Sequence, residues 1–248
     1  MTTKSRIEWT ESTWNPVVGC TKLSAGCKHC YAETMARRLQ AMGVAGYEQG
    51  FRKVRTLPFR LEEPLRRRQP TVYFVNSMSD LFHTDVPESF IDRVFDVMRR
   101  CPQHTFQVLT KRGERIEEYS QEYLVPDNVW LGVSVENKRH GVPRIRQLRA
   151  AKAKTRFLSV EPLLEDVGQL DLTGIDWVIV GGESGHGARP MKEAWVLNVK
   201  RQCEEQGVRF FFKQWGAFGV DGVRRDKKAN GRLLQGRTWD AMPEYAHA

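Results

Sequence analysis

The sequence has no apolar run long enough for a bilayer, no second Cys-x2-Cys pair, no Gly-x-Gly-x-x-Gly and no internal repeat. A spanning helix needs about 20 consecutive apolar residues, so no membrane-embedded segment is expected. The opening stretch MTTKSRIEWTEST lacks the apolar core of a signal peptide. Five cysteines is an odd count, and three of them are clustered, unlike the even, dispersed set of a secreted disulfide scaffold. A reducing cytoplasm, which leaves thiolates free for metals, is the expected compartment. GGESG at 181–185 is not a dinucleotide fingerprint. Without a linker or repeat, the chain reads as one domain, 1–248, with an N-terminal cap at 1–14 and a C-terminal extension at 217–248.

Acidic residues are also in short supply, with 30 Asp and Glu against 39 Lys and Arg, a net charge of +9. That balance suits a polyanionic partner such as nucleic acid, and equally a basic enzyme whose charge serves only solubility. The cations gather in 44–70, where Arg52, Lys53, Arg55 and Arg60 lead to Arg66, Arg67 and Arg68 among prolines. Such a run is either a solvated face or a phosphate-contacting edge.

What is present is a strand–helix alternation. Val17-Val18 reads as a very short strand. TVYFVNS at 71–77, TFQVLT at 105–110, VWLGVSV at 129–135, TRFLSV at 155–160, IDWVIVGG at 175–182 and Val208 to Lys213 read as buried strands. Between them, apolar residues recur at helical spacing after Pro87, from Arg112, after Pro143 and from Ala194. After Cys30, the row Tyr31, Met35, Leu39 and Met42 predicts a helix stopped by Gly43. This order predicts an α/β fold on a parallel sheet, either a partial barrel or a doubly wound sheet. WDAMP at 239–243 is expected to fold back as a small cap.

Polar residues follow the strands. Asn76, Ser77, Ser79 and Asp80 come after the first strong strand, and Thr110, Lys111 and Arg112 after the next. Ser134, Glu136 and Asn137 follow the third, Ser159 and Glu161 close the fourth, and Gly181, Gly182, Glu183 and Ser184 follow the fifth. Ligands of parallel α/β folds bind at the carboxyl ends of the strands, which would gather these residues at one mouth. The competing reading is that some are only helix N-caps or turn residues. Lys213, Lys111 and Arg189 are the candidate partners of Glu161 and Glu183. His83 and His186 fall in mouth loops, whereas Cys101 and Cys203 read as small core residues.

The densest chemistry is NPVVGCTKLSAGCKHCYAE at 15–33, with Cys20, Cys27 and Cys30 spaced C-x6-C-x2-C. Structural zinc wants four protein ligands. Three thiolates without an obvious fourth suit a [4Fe–4S] cluster with one iron open to a small chelating molecule. Two alternatives remain. One is a nucleic-acid-binding protein with structural zinc held by the three cysteines and a histidine such as His29. The other is a cluster used only for electron transfer or sensing.

Closely spaced cysteines ending in CxxCY, placed after the first strand of a parallel array, resemble the radical S-adenosylmethionine (SAM) superfamily. Asn15-Pro16, Gly19-Cys20 and Cys30-Tyr31-Ala32 are similar to the cysteine region of its spore photoproduct lyase-like branch. IEWTESTWNPVVGC, CKHCYAE, SVEPLL, GGESGHGARPM and FFKQWG are similar to a phage- and bacterium-associated family of that superfamily, and they spread from Ile7 to Gly216. The spacing exceeds the commoner C-x3-C-x2-C by three residues, and NSMSD stands where a GGE is usual. The resemblance implies a partial (βα)6-type TIM barrel with Cys20, Cys27 and Cys30 holding three irons of a [4Fe–4S] cluster. It also implies SAM on the fourth iron, a flavodoxin- or ferredoxin-type electron donor, and reductive cleavage to a 5′-deoxyadenosyl radical. By position, Asn76, Ser77 and Asp80 would meet the SAM amino group and Ser134 and Glu136 the ribose. Glu161, Gly181, Gly182 and Glu183 would complete the pocket.

Overall fold

The computed structural model describes Ser5 and residues 7–245. Residues 1–4 and 6 of the expected N-terminal cap, and 246–248 of the expected C-terminal extension, lie outside the described residues.

The elements, in chain order, are β1 (Ser12–Trp14), β2 (Val17–Val18), α1 (Tyr31–Ala41), β3 (Arg55–Thr56), β4 (Val72–Val75), α2 (Glu88–Arg99), β5 (Thr105–Thr110), α3 (Gly113–Glu122), β6 (Val129–Ser134), α4 (Val142–Ala150), β7 (Thr155–Val160), β8 (Trp177–Gly181), α5 (Glu193–Glu205), β9 (Arg209–Gln214) and the single turn α6 (Lys227–Asn230). Seven strands form one parallel sheet in the order β1-β4-β5-β6-β7-β8-β9. Each new strand adds on the same side of the last. Right-handed crossovers then put every helix on one face, and the twisted sheet curls round its other face into a half-barrel. A doubly wound sheet would reverse direction at some strand, and this one does not. Among the described residues, no helix is long and apolar enough to cross a membrane.

The period-two alternation of the strands supplies two cores. Outward residues such as Val75, Val108, Leu131, Leu158, Val178 and Phe212 pack against Phe90, Val94, Ile116, Ile145, Leu148, Val196 and Val199 of the helices. Each such side chain contributes roughly 1.5–3 kcal/mol when fully buried. Inward residues Phe74, Trp130, Phe157, Trp177, Ile179 and Phe211 gather round Trp9 and fill the barrel interior. A Cβ on Gly132 would lie 2.5 Å from the Phe157 ring, so this glycine makes room for the plug. The C-terminal segment seals it from below. Phe211 bridges Asp240, Trp177 Nε1 donates to the Ala241 carbonyl at 2.8 Å, and Tyr245 stacks on Trp130 with ring centres 5.6 Å apart. WDAMP thus folds back as a cap.

Three expectations need correcting. The first strand of the sheet is Ser12–Trp14, which pairs parallel with Tyr73–Val75 and carries Trp14 into the outer core. Val17-Val18 instead pairs antiparallel with Arg55-Thr56 in a separate two-stranded ribbon. The strand expected over 71–77 is regular only to Val75, since Asn76 turns into the left-handed region at φ 58°. Helix α1 forms as the spacing predicts but faces the other way. It buries Ala32 and Ala36 and leaves Tyr31, Met35 and Met42 exposed, the last by 74%.

Candidate cofactor site at the carboxyl ends of the strands

The cysteine loop leaves β1 and is pinned at several points. Asn15 Oδ1 accepts from Ser77 Oγ at 3.1 Å and from the Met78 amide at 3.0 Å, tying the β1 and β4 ends together. Ser79 Oγ donates to the Val17 carbonyl at 2.8 Å. Gly19 has φ +84°, and a Cβ there would sit 2.3 Å from the Lys53 carbonyl oxygen, so only glycine lets the loop press against the 44–60 segment. The Cys20 amide then donates to the Phe51 carbonyl at 2.8 Å. Thr21 Oγ1 meets His83 Nε2 at 2.7 Å. The Asp85 amide donates to His83 Nδ1, so the proton sits on Nε2 and the ring is a neutral donor to Thr21. Burial, followed by the nearby Arg112 charge, keeps this histidine below its usual pKa. His83 is therefore a buried anchor of the loop.

Ala25–Cys27 form a short turn whose Gly26 rests on Glu136, leaving 3.1 Å between a virtual Cβ and Glu136 Cγ. Arg189 Nη2 clasps the same turn through the Ala25 carbonyl at 3.0 Å. Cys30 closes the loop as the residue preceding α1. The six-residue gap between Cys20 and Cys27 is thus taken up by one turn seated on the end of β6.

Cys20, Cys27 and Cys30 are free, half-buried, and line one cavity of about 140 Å³. Asn76, Ser77, Ser79 and Asp80 after β4, Thr110, Lys111 and Arg112 at the end of β5, and Ser134 at the end of β6 line it too. The thiols differ in their surroundings. Burial and the Asp80 carboxylate push Cys20 up to about 11, with Arg112 pulling the other way. Burial also raises Cys27, but the Lys111 charge and hydrogen bonds from the Leu23–Ser24 segment outweigh it, so this thiol lies below its ordinary value.

Asp80 has both oxygens engaged. Oδ1 accepts from Thr110 Oγ1 at 2.6 Å and the Phe82 amide at 3.0 Å, and Oδ2 from Arg112 at 2.8 Å and the Lys111 amide at 3.3 Å. Lys111 Nζ donates to Ser134 Oγ at 3.1 Å. Glu136 is fully buried against Arg144 at 2.7 Å, and Arg144 also holds the Ser134 carbonyl at 2.8 Å. Its burial opposes ionisation, yet Lys111 and Arg144 keep the carboxyl below its usual range.

The remaining expected residues form a second wall outside the cavity lining. Glu161 pairs with Lys213 at 2.8 Å, lying across Gly181, where a Cβ would be 2.7 Å from Glu161 Oε1. Gly182 lies against the Trp215 carbonyl. Glu183 takes Arg189 through both oxygens, at 2.8 and 2.6 Å. Of the three candidate partners, Lys213 takes Glu161 and Arg189 takes Glu183, whereas Lys111 turns to Ser134. His29 packs on Gly187, and His186 is exposed. Cys101 and Cys203 are fully buried in the outer core. Sequence reasoning missed Thr21, Tyr31 and Phe51 as lining residues. Lys111 and Arg112, which the strand-end reading gathers at the mouth but to which the resemblance gives no role toward SAM, line the cavity.

Among the described residues, no three His, Cys, Asp or Glu side chains are grouped for a single metal ion. A cubane makes a different demand, because each thiolate binds its own iron and the sulfurs surround a volume rather than a point. Three free thiols around one cavity meet it. A chelating amino acid on the open iron needs polar partners beside the cysteines, and Asn76, Ser77, Lys111 and Ser134 stand there.

A family model described as "Protein of unknown function (DUF5131)" matches residues 4–243. No curated protein matches the chain. Among solved structures, spore photoproduct lyase complexed with dinucleoside spore photoproduct is similar at a TM-score of 0.43 and 12% identity, over 83% of this chain and 64% of that one. A cysteine-to-serine mutant of spore photoproduct lyase gives a TM-score of 0.43 and 14% identity, over 74% and 58%. A mutant of it with bound AdoMet and dinucleoside spore photoproduct gives 0.41 and 12%, over 83% and 64%. The chain spans less than two-thirds of the length of these lyase chains.

Proposed function

The chain belongs to the DUF5131 family, and we propose that it is a radical SAM enzyme acting on a nucleic acid or nucleobase. The observation that carries this reading is the convergence of Cys20, Cys27 and Cys30 on one cavity walled by the carboxyl ends of β4, β5 and β6. A [4Fe–4S] cluster with SAM on its open iron would supply reductive cleavage to methionine and a 5′-deoxyadenosyl radical, given one electron from a flavodoxin- or ferredoxin-type donor.

The protein's own contribution is to hold and orient. Cys20, Cys27 and Cys30 hold three irons. Asn76, Ser77 and Ser134 face the cofactor in the cavity. Asp80 positions Arg112 beside Cys20, and Glu136 and the Glu183–Arg189 pair fix the Ala25–Cys27 turn from two sides. Glu161, Gly181 and Gly182 build the wall toward β9, where a substrate has access to the same mouth. The whole chain, 1–248, serves as one domain in a reducing cytoplasm.

A polyanionic substrate is supported by the net charge of +9 and by exposed Arg52 and Lys53, which adjoin Cys20 and Gly19. Arg66, Arg67 and Arg68 lie elsewhere. They precede β4, and the Arg67 carbonyl meets the His104 ring before β5, so this triplet sits at the amino ends of the strands. Anaerobic reconstitution with iron and sulfide, then SAM and dithionite, tests the reading. Broad cluster absorption and 5′-deoxyadenosine are the expected result. A colourless protein that takes up zinc and forms no 5′-deoxyadenosine would overturn it.

A further inference from the structure

We propose that Asn76 binds the carboxylate of the amino-acid moiety of SAM, and that the β4 end is a carboxylate site rather than an ammonium site. The inference rests on the cofactor assignment above and goes beyond it in chemistry.

The argument starts from an amide whose orientation is fixed. The Val17 backbone N–H approaches the Asn76 side chain at 3.1 Å. A backbone N–H can only donate, so the atom facing it is Oδ1. That leaves Nδ2, with two N–H groups, as a buried atom without a hydrogen-bond partner, in a residue only 2% exposed that lines the cysteine cavity. An unsatisfied buried donor costs about 1–3 kcal/mol. Asn76 also has φ 58°, in the left-handed region that a side-chain-bearing residue adopts at a cost. Both costs fall on one residue of the cavity lining. A ligand that accepts from Nδ2 would remove the first of them.

The neighbours decide which ligand atom that is. An ammonium brings only N–H groups and cannot pair with Nδ2. A carboxylate brings only acceptors. Asp80, the residue best suited by type to an ammonium, has both oxygens committed to Arg112, Thr110 and two backbone amides. Ser77 Oγ donates to Asn15, which leaves it only lone pairs and no proton for a carboxylate, so the donors on this side are Asn76 and Lys111. Lys111 adds a positive charge to the same cavity, hydrogen-bonded to the Ser134 hydroxyl and shared electrostatically with Glu136 and Cys27. The β4–β5 side of the cavity therefore offers an N–H donor and a cation, which is the complement of a carboxylate.

Asn76→Asp is the discriminating variant. It keeps the shape, the acceptor for Val17 and the tolerance of positive φ, and it exchanges the donor for an anion. Cluster-loaded wild type and variant would be titrated anaerobically by calorimetry with SAM and with decarboxylated SAM, which retains the amine. The expected result is SAM bound at least about tenfold more weakly, with decarboxylated SAM bound as well as by the wild type. Unchanged SAM affinity would overturn the proposal. So would an equal loss for both ligands, which would make Asn76 a shaping residue. A fall in iron content would also overturn it, because the amide would then serve the cysteine loop. If the Asp variant does not fold, Asn76→Gly carries the same test, since glycine accepts the backbone angle and removes the donor, with a loss of about tenfold. A wild type that loads no cluster or binds no SAM would instead sink the cofactor assignment itself.

Discussion

Asn128 and Asn76 stand at opposite ends of the same sheet, both buried, and their amide nitrogens fare differently. Asn128 precedes β6, and its Nδ2 reaches the Met98, Cys101 and His104 carbonyls at 3.0, 2.9 and 2.9 Å. Asn76 follows β4, and its Nδ2 has no partner. The contrast extends to the surroundings. The amino ends are closed by the aromatic plug and the C-terminal cap, whereas the carboxyl ends present three free thiols, Lys111 and serine hydroxyls round a cavity. The unpartnered amide of this pair is the one that lines the cavity with the thiols, whereas the satisfied one ties α2 and the β5 approach to β6.

That contrast can be broken by paired substitutions. The largest difference is expected between cysteines. Cys27→Ala should abolish iron and sulfide uptake, while Cys203→Ala, in the outer core, should lower stability and leave iron content intact; quantifying iron per chain checks both. Next, Asn128→Ala should cost about 3 kcal/mol in urea unfolding, because three buried carbonyls lose their donor, without changing SAM binding once folded. Gly132→Ala should cost about 1–3 kcal/mol by forcing the Phe157 ring aside, and a melting curve with unchanged cluster absorption would place that effect in the plug. The smallest difference concerns charge. Neutralising Arg52 and Lys53 should make the salt dependence of single-stranded nucleic-acid binding shallower by about 0.7 per lost phosphate contact. Neutralising Arg66, Arg67 and Arg68 should leave it unchanged, and the reverse would move the interface to the amino ends.

The sequence was most legible where a single period governed it. β5 and β7 coincide with the runs read at 105–110 and 155–160, because Phe106, Val108, Leu158 and Val160 face the helices while Leu109 and Phe157 face the plug. It was least legible where contacts distant in sequence decide. Nothing near Val17 shows that it pairs with Thr56, or that Ser12–Trp14 takes the edge of the sheet instead. The apolar row of α1 marked a helix, but which face is buried depends on where Ala32 and Ala36 meet the 44–57 segment. At the site, residue types at strand ends located the mouth. Hydrogen-bond commitments could not be read from types. Asp80 and Glu183 have both oxygens engaged within the protein and Glu161 holds Lys213, whereas the Asn76 Nδ2 has no partner.

The central claim is that the three cysteines hold a cluster with one iron open to SAM. The most direct measurement is the EPR spectrum of the dithionite-reduced, reconstituted protein with and without SAM. A reduced-cluster signal whose g-values shift on adding SAM is the predicted result. A signal that ignores saturating SAM, or no cluster signal at all, would contradict it.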